Sequence, residues 1–341
     1  MAECVATSTR LGGLTLRPYR PGDEEGILKL FRRLYEKECS LARWRWKFCE
    51  NPAGRQIMLA VTDGGQVVGQ YAGLPTWAAK GPRAFLLSQA VDSMVDPRLR
   101  RGLKNPGLQI TLVRRFFDEY MGPDRGAIAY GFPIPIYCRL LVRTGASTVL
   151  HRAVQLEREL TGAEGAPGDR PTSWRYRIAQ VSRFPGSVDE LWQRCRRELS
   201  LATIRDARYL NWRYADCPDV AYVKLLATDR WTGRVAGIAA LRLGFEGRPV
   251  ALLVDWLVPK RRRRLAGALL RHCHALAVAE GLSRIEAWFP EYTSQFQFLK
   301  ARGYRSAATA YEVVVTQFHP ELSREWLEGH WYYTMGDSDI Y

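Results

Sequence analysis

Apolar positions along the chain alternate between two rhythms. A short run at Leu14 to Pro18 reads as a strand. Pro21-Gly22-Asp23 then makes a turn into a helix with Ile27, Leu28, Leu30, Phe31 and Leu34 on its apolar side and basic residues opposite. Ile57–Thr62 and Gln66–Leu74, joined by Asp63-Gly64-Gly65, predict a hairpin. Another strand runs from Phe85 to Val95, interrupted by Ser88, Gln89, Asp92 and Ser93, and stops at the turn-forming pair Asp96-Pro97. A helix follows, with Asn105 as its expected N-cap, Pro106 in its first turn, and Leu108, Leu112, Phe116 and Tyr120 spaced four apart. Gly126 to Pro133 predicts a buried strand, and Tyr137 to Thr144 a short helix closed by Gly145.

The same order then restarts. SRFPGSVDELWQRCRREL echoes YRPGDEEGILKLFRRL, and Tyr209–Cys217 echoes Ala42–Cys49. Trp212 answers Trp44, Asp255 answers Asp92 and Gly303 answers Gly145, at slowly shortening offsets. Matched landmarks in one order indicate an internal duplication of about 150 residues per unit. The expected division is an N-terminal extension (1–13), a first domain (14–160), a Gly/Pro-rich linker (161–172), a second domain (173–319) and a tail (320–341).

Composition narrows the class. A chain of 341 residues, 47% apolar and 25% charged, is ample for two cores, and it has no apolar run of the roughly 20 residues needed to cross a bilayer. The start, MAECVATSTRLGG, lacks the apolar block of a secretion signal, and seven scattered cysteines without a CxxC pair argue against a disulfide framework or a zinc site. A reducing cytoplasm is expected. Formal charge is +15, which favours an anionic partner or cofactor without saying which.

The candidate chemistry lies where each domain passes from strand to helix. In the first, Arg98, Arg100, Arg101, Gly102, Lys104 and Gly107 separate the two elements. In the second, LLVDWLVPKRRRRLAGALL runs an aspartate-bearing strand through proline and Lys260–Arg264 into a helix with Leu265, Leu269, Cys273 and Leu276. Glycine lets backbone approach closely, and the N–H groups and dipole of a helix start favour phosphate. Taken singly, each loop also reads as a solvated turn. Trp44, Trp46 and Phe48 alternate with Arg45 and Lys47, a pattern that suits either base stacking or the anchoring of a helix end against a sheet.

These residues resemble the GNAT superfamily of acyl-CoA N-acyltransferases in a tandem two-domain form. Arg262-Arg263-Arg264-Leu265-Ala266-Gly267 holds the place of that family's Q/R-x-x-G-x-G/A pyrophosphate loop, with leucine at the first glycine, and Arg100 to Gly107 fits with adjusted spacing. The family's closing pattern persists in spacing at Ile134, Tyr137, Leu140, Leu141, Gly145 and Ala146, and at Tyr292, Gln295, Phe298, Leu299, Gly303 and Tyr304. The resemblance implies an α+β or α/β fold of two domains, each a mixed, mostly antiparallel central sheet flanked by helices. It also implies acetyl-CoA or another acyl-CoA as the acyl donor.

The resemblance further implies an oxyanion donor from backbone near Met94 and Val95, with the donor held by Arg100, Arg101, Gly102, Leu103, Lys104, Asn105 and Gly107. Leu257, Val258, Arg262, Arg263, Arg264, Ala266 and Gly267 make a possible second such site. Asp92 is the candidate base and Asp255 its counterpart; an aspartate that caps a turn or pairs with an arginine is the structural alternative for each. Leu141 and Leu299 stand where the family carries its tyrosine acid, so three alternatives stay open: Tyr130 or Tyr137 substitutes, solvent serves, or one or both units have lost catalysis. Asp337 and Asp339, beside Trp331-Tyr332-Tyr333, are candidate holders of a cationic amine.

Three functions remain open at this level. The first is an N-acyltransferase acting on a small-molecule amine, amino sugar or amino acid in a ternary complex. The second is a tRNA-dependent aminoacyl transferase of similar two-lobed fold, in which nucleic acid is the partner. The third is a catalytically inactive GNAT-fold binding protein.

Overall fold

The computed structural model describes residues 8–100, 107–161 and 174–341. The expected linker falls almost wholly outside them, as do Arg101, Gly102, Leu103, Lys104 and Asn105. In chain order the first elements are β1 (Thr9–Leu11), β2 (Leu14–Pro18), α1 (Glu24–Tyr35), α2 (Leu41–Phe48), β3 (Gln56–Thr62), β4 (Val67–Lys80), β5 (Arg83–Val95), α3 (Leu108–Tyr120), β6 (Gly126–Gly131), α4 (Pro135–Arg143) and β7 (Thr148–Glu159). They are followed by β8 (Tyr176–Val181), α5 (Val188–Cys195), β9 (Leu201–Thr203), α6 (Ala207–Tyr214), β10 (Tyr222–Asp229), β11 (Val235–Phe245), β12 (Arg248–Leu257), α7 (Arg263–Ala279), β13 (Arg284–Trp288), α8 (Ser294–Lys300), β14 (Arg305–Gln317), α9 (Arg324–His330) and β15 (Trp331–Tyr332).

Two compact units result, and neither is contiguous. Unit 1 comprises Met1–Trp77, Phe85–His151 and Ala310–Glu328; unit 2 comprises Ala78–Ala84, Arg152–Thr309 and Gly329–Tyr341. The strands β7 and β14 are each divided between the units, which departs from the contiguous domains expected from the sequence. The expected extension also contains structure, because β1 pairs with β2 as a hairpin.

In unit 1 the sheet order is β1-β2-β3-β4-β5-β6 and then the second half of β14. Neighbours β2–β3, β3–β4 and β6–β14 are antiparallel, whereas β5 and β6, joined through α3, are parallel. Val314 to Gln317 pair with Gly131 to Ile128, so residues from late in the sequence satisfy the backbone of β6. Leu108, Leu112 and Phe116 of α3 pack with Met58, Ala60 and Tyr71 of the sheet in one buried cluster. Gly69 and Gly73 have no room for a side chain: a Cβ would come within 2.9 Å of Leu112 at the first and 2.6 Å of Phe116 at the second. The helix α3 begins at Leu108 with Gly107 as its N-cap, two residues later than the expected Asn105 cap.

Unit 2 repeats the plan in the order β13-β12-β11-β10-β8, again with one parallel pair, β12–β13, joined through a helix. The helix α7 packs on β11, β12 and β13, and α5 on β11 and β12. Two additions distinguish it. Ala78 and Ala79 of β4 pair with β9, and β15 pairs with β9 on its other edge. The segment after β15 is buried from Tyr333 to Ser338. Among the described residues no helix is long and apolar enough to cross a membrane.

Candidate active site

In each unit the parallel ladder stops before the longer strand does. The rungs of β5–β6 run from Leu86↔Gly126 to Gln89↔Tyr130, yet β5 continues to Val95. The rungs of β12–β13 end at Leu253↔Ala287, yet β12 continues to Leu257. Past its last rung each longer strand runs on beyond the end of that neighbour. The departing strands carry Asp92 and Asp255, so the sequence match between these two residues is also a structural one.

Asp92 lies within β5, past the last rung of that ladder. Its φ of 46° is left-handed, a conformation that aspartate adopts more readily than most residues but still at a cost. Gln70 Nε2 fixes this backbone by donating to the Asp92 carbonyl at 3.0 Å. The side chain turns toward α2, where Lys47 Nζ donates to Oδ2 at 2.9 Å. The helix α2 is capped by Ser40, whose side chain accepts from Arg43 N at 3.0 Å, and it buries Trp44, Trp46 and Phe48. Those aromatic residues anchor the helix rather than offer a stacking surface: Trp44 contacts the Tyr19 and Phe48 rings. Lys47 is buried with them, its side chain 8% exposed, while that of Asp92 is 21% exposed. Among the described residues Asp92 Oδ1 accepts no hydrogen bond.

One residue further on, Ser93 faces different partners. The Tyr35 hydroxyl donates to its carbonyl at 3.2 Å. Its side chain hydrogen-bonds Tyr137, whose hydroxyl also accepts from Gln109 Nε2 at 3.0 Å. Burial pushes the Tyr137 phenol up to about 12, against the opposing pull of the Ser93 and Gln109 hydrogen bonds. Tyr137 therefore stays protonated through the physiological range, and the fold brings it to the departing end of β5. Tyr130 is placed otherwise, on the last rung of the ladder, 3% exposed and edge-on to Phe132. Leu141, at the position of the family's acid, is buried in the apolar core of unit 1.

Beyond Ser93, Met94 and Val95 are buried, and the chain turns at Pro97–Leu99 under Asp96. Hydrogen bonding to Arg98 and the nearby Arg33 hold the Asp96 carboxyl down at about 2, against its own burial. Arg100 Nε donates to the Val95 carbonyl at 3.0 Å, tying the loop back to the strand end. Gly107 then opens α3 in extended backbone with no side-chain cap, and no acidic residue lies in the first turn. A helix start of this kind suits a phosphate.

In unit 2 the corresponding aspartate is sealed. Asp255 is fully buried, with Oδ1 accepting from Arg205 Nε at 2.7 Å and from Trp256 N at 2.8 Å, and Oδ2 from the Tyr214 hydroxyl at 2.8 Å. Arg205 Nη2 donates to Asp337 Oδ2 at 2.6 Å, and Thr334 N donates to the same oxygen at 2.7 Å. Asp337 is thus an internal counter-ion of unit 2, which corrects its expected role in holding an external amine. Asp339 is half-buried in the same returning segment. Asp255 is likewise corrected from a second candidate base to a structural carboxylate, the alternative weighed for it above.

The basic run of unit 2 lies between the end of β12 and the start of α7. Leu257 and Val258 are buried at the strand end, and Arg262 is the N-cap of α7, its Nη1 donating to the Tyr176 hydroxyl at 3.2 Å. Arg263 and Arg264 are exposed, whereas Leu265, Ala266 and Gly267 are buried. A Cβ at Gly267 would lie 3.6 Å from both Arg271 Nη1 and Arg302 Nη2, so two guanidinium groups converge there. Burial and the like charges of Arg271 and Arg263 push Arg302 below the ordinary arginine range. The described donor sets of both units fit a phosphate-bearing ligand.

No protein-family model and no curated protein sequence matches the chain. Solved structures do. A conserved Enterococcus faecalis V583 protein of unknown function, described as a probable N-acyltransferase, aligns with a TM-score of 0.64 at 11% identity, covering 89% of this chain and 73% of its own. A tandem GNAT protein from the clavulanic acid biosynthesis pathway aligns at 0.58 and 15% identity, covering 90% and 99%. The chain has the tandem GNAT fold. Saccharomyces cerevisiae N-myristoyltransferase, solved with myristoyl-CoA, shares the GNAT arrangement at a TM-score of 0.56 and 11% identity over 91% of this chain and 80% of its own.

Sequence reasoning singled out Asp92 and Tyr137 but not their contacts: Lys47 on the first, and Ser93 and Gln109 on the second. One signal was present. Lys47 is a charged residue within the aromatic face of a short helix, and a charge placed there is expected to have a partner.

Proposed function

We propose that unit 1 is an N-acyltransferase that moves an acyl group from acyl-CoA, such as acetyl-CoA, to a primary amine. One observation carries the reading. Where β5 parts from β6, a carboxylate with one uncommitted oxygen (Asp92) and a phenol that stays protonated (Tyr137) flank the same strand within a GNAT fold. Unit 2 lacks that pairing, because its aspartate is enclosed.

When bound, the donor supplies the thioester that is attacked. Arg100, Gly107 and the backbone of the first turn of α3 would hold its phosphates, with Arg101, Gly102, Leu103, Lys104 and Asn105, which lie between them in sequence, as the further candidates. An ammonium has no lone pair, so Asp92 first takes one proton from the acceptor, directly or through water. The amine nitrogen then bonds to the thioester carbon. Backbone N–H groups near Met94 and Val95 stabilise the charge that builds on the acyl oxygen. As the carbon–sulfur bond breaks, Tyr137 donates its hydrogen bond to the sulfur, which leaves with the second nitrogen proton, and Asp92 returns its own proton to solvent. The products are an amide and a free thiol.

Calorimetry with acetyl-CoA, and thiol release in the presence of amines, test this reading. Saturable micromolar binding and amine-dependent thiol release support it, and their joint absence rejects it. The net charge of +15 favours a second reading, transfer from aminoacyl-tRNA. Binding of charged tRNA that weakens steeply with salt, with no affinity for CoA, would establish that reading instead.

A further inference from the structure

We infer that the acceptor is an α-amino acid, taken up by exchanging the Lys47–Asp92 ion pair for two new ones. The inference rests on the proposed acyl transfer in unit 1 and names its substrate class. Lys47 Nζ and Asp92 Oδ2 lie 2.9 Å apart, with Asp92 past the last rung of the β5–β6 ladder. Asp92 alone would accept any amine. Lys47 changes the selection, because a second fixed cation beside the carboxylate repels polyamines and multiply charged amino sugars and attracts an acceptor that brings its own anion.

An α-amino acid has the matching charges. Its ammonium and carboxylate are one carbon apart, about as far from each other as Lys47 Nζ is from Asp92 Oδ2. Placed against the pair, its ammonium meets Asp92 and its carboxylate meets Lys47, which closes a ring of alternating charges. Such charge-assisted hydrogen bonds are strongest where water is scarce, and the Lys47 side chain is 8% exposed. Asp92 is the more open partner at 21%, which suits a group that must also release a proton. The half-exposed ring of Tyr35, its hydroxyl on the Ser93 carbonyl, stands at the neighbouring residue and offers an apolar surface for a side chain.

The test pairs L-amino acids with their decarboxylated amines, for example phenylalanine with phenethylamine, on the full chain with acetyl-CoA. The expected result is a preference in kcat/KM of about 100-fold for the amino acid, most of it in KM. Lys47→Met, which keeps the apolar stem, should bring the ratio near one, and Lys47→Arg should restore part of it. Thermal melting reports whether Lys47→Met fails to fold, in which case Lys47→Arg carries the comparison. Equal turnover of amino acid and amine by the unaltered chain overturns the inference while leaving acyl transfer in place. Absence of thiol release with every acceptor rejects acyl transfer. Calorimetric titration of phenylalanine and phenethylamine then decides the inference by itself: selective amino-acid binding lost in Lys47→Met sustains it, and no binding or equal binding ends it.

Discussion

Arg205 Nε donates to Asp255 Oδ1 at 2.7 Å, with both side chains wholly buried. The same guanidinium binds Asp337, so one cation bridges two carboxylates inside unit 2. Burial opposes the charge on Arg205, but Coulomb attraction to Asp255 and Asp337 outweighs it and holds the guanidinium charged. A buried network of this kind contributes little compared with an apolar core of equal volume, but removing one member is costly. Arg205→Met leaves two buried carboxylates uncompensated and should lower the free energy of unfolding by about 3–5 kcal/mol. Asp255→Asn, which retains a carbonyl oxygen for Arg205 or Tyr214, should cost less. Chemical denaturation measures both, and an Arg205→Met variant as stable as the parent would refute the network's role.

The segment after β15 packs against this network without slack. A Cβ on Gly336 would lie 1.9 Å from the Tyr214 hydroxyl and 2.9 Å from the Val254 carbonyl. Gly336→Ala should therefore destabilise the chain by about 1–3 kcal/mol, as overpacking does. It should also make residues 333–341 more accessible to protease, which limited digestion followed by mass spectrometry would reveal.

Asp92→Asn keeps the shape of the side chain and a hydrogen bond to Lys47 but removes the proton acceptor. Loss of a general base lowers kcat by about 10²–10⁴-fold, and the melting temperature should change little. Thiol release gives the first quantity and calorimetric scanning the second. Undiminished turnover in this variant would remove Asp92 from the mechanism.

Tyr137→Phe should lower kcat by about 10²-fold through loss of the hydrogen bond to the departing sulfur. The phenol is pushed up to about 12 by burial, so its deprotonation contributes no alkaline limb below about pH 10. A falling limb near neutral pH that disappears in Tyr137→Phe would contradict this assignment.

Acid stability should carry the mark of Asp96. Its carboxyl, bonded to Arg98 and close to Arg33, is held down at about 2 in the folded chain. A depressed value means that the folded state favours the ionised form. The stabilisation is complete above the unfolded value near 4 and is lost as pH falls from there toward 2. Stability measured against pH should fall less steeply across that window in Asp96→Asn than in the parent chain.

Much of this architecture was legible in the residues. Strand–helix order, the two aspartates, the closing helices and the basic start of α7 all follow from local periodicity and turn chemistry, which act over a few residues and leave their trace in short windows. The end of the Gln66–Leu74 strand was not legible: β4 runs on through Pro75 to Lys80, where Ala78 and Ala79 pair with β9, residues more than a hundred positions away. The N-cap of α3 was misplaced because Asn105 and Gly107 both suit the start of a helix.

By itself, then, the sequence determined that the chain is built from two similar α/β units and that Asp92 and Asp255 occupy equivalent strands. Tertiary structure decided what each aspartate does. Lys47 reaches Asp92 across 45 residues and leaves one of its oxygens uncommitted, whereas Arg205, Tyr214 and the returning segment at Asp337 enclose Asp255. It also decided that β7 and β14 are shared between the units. Local patterns cannot carry this information, because a charge seeks the nearest opposite charge in space and an open strand edge the nearest backbone, and both depend on how distant segments pack.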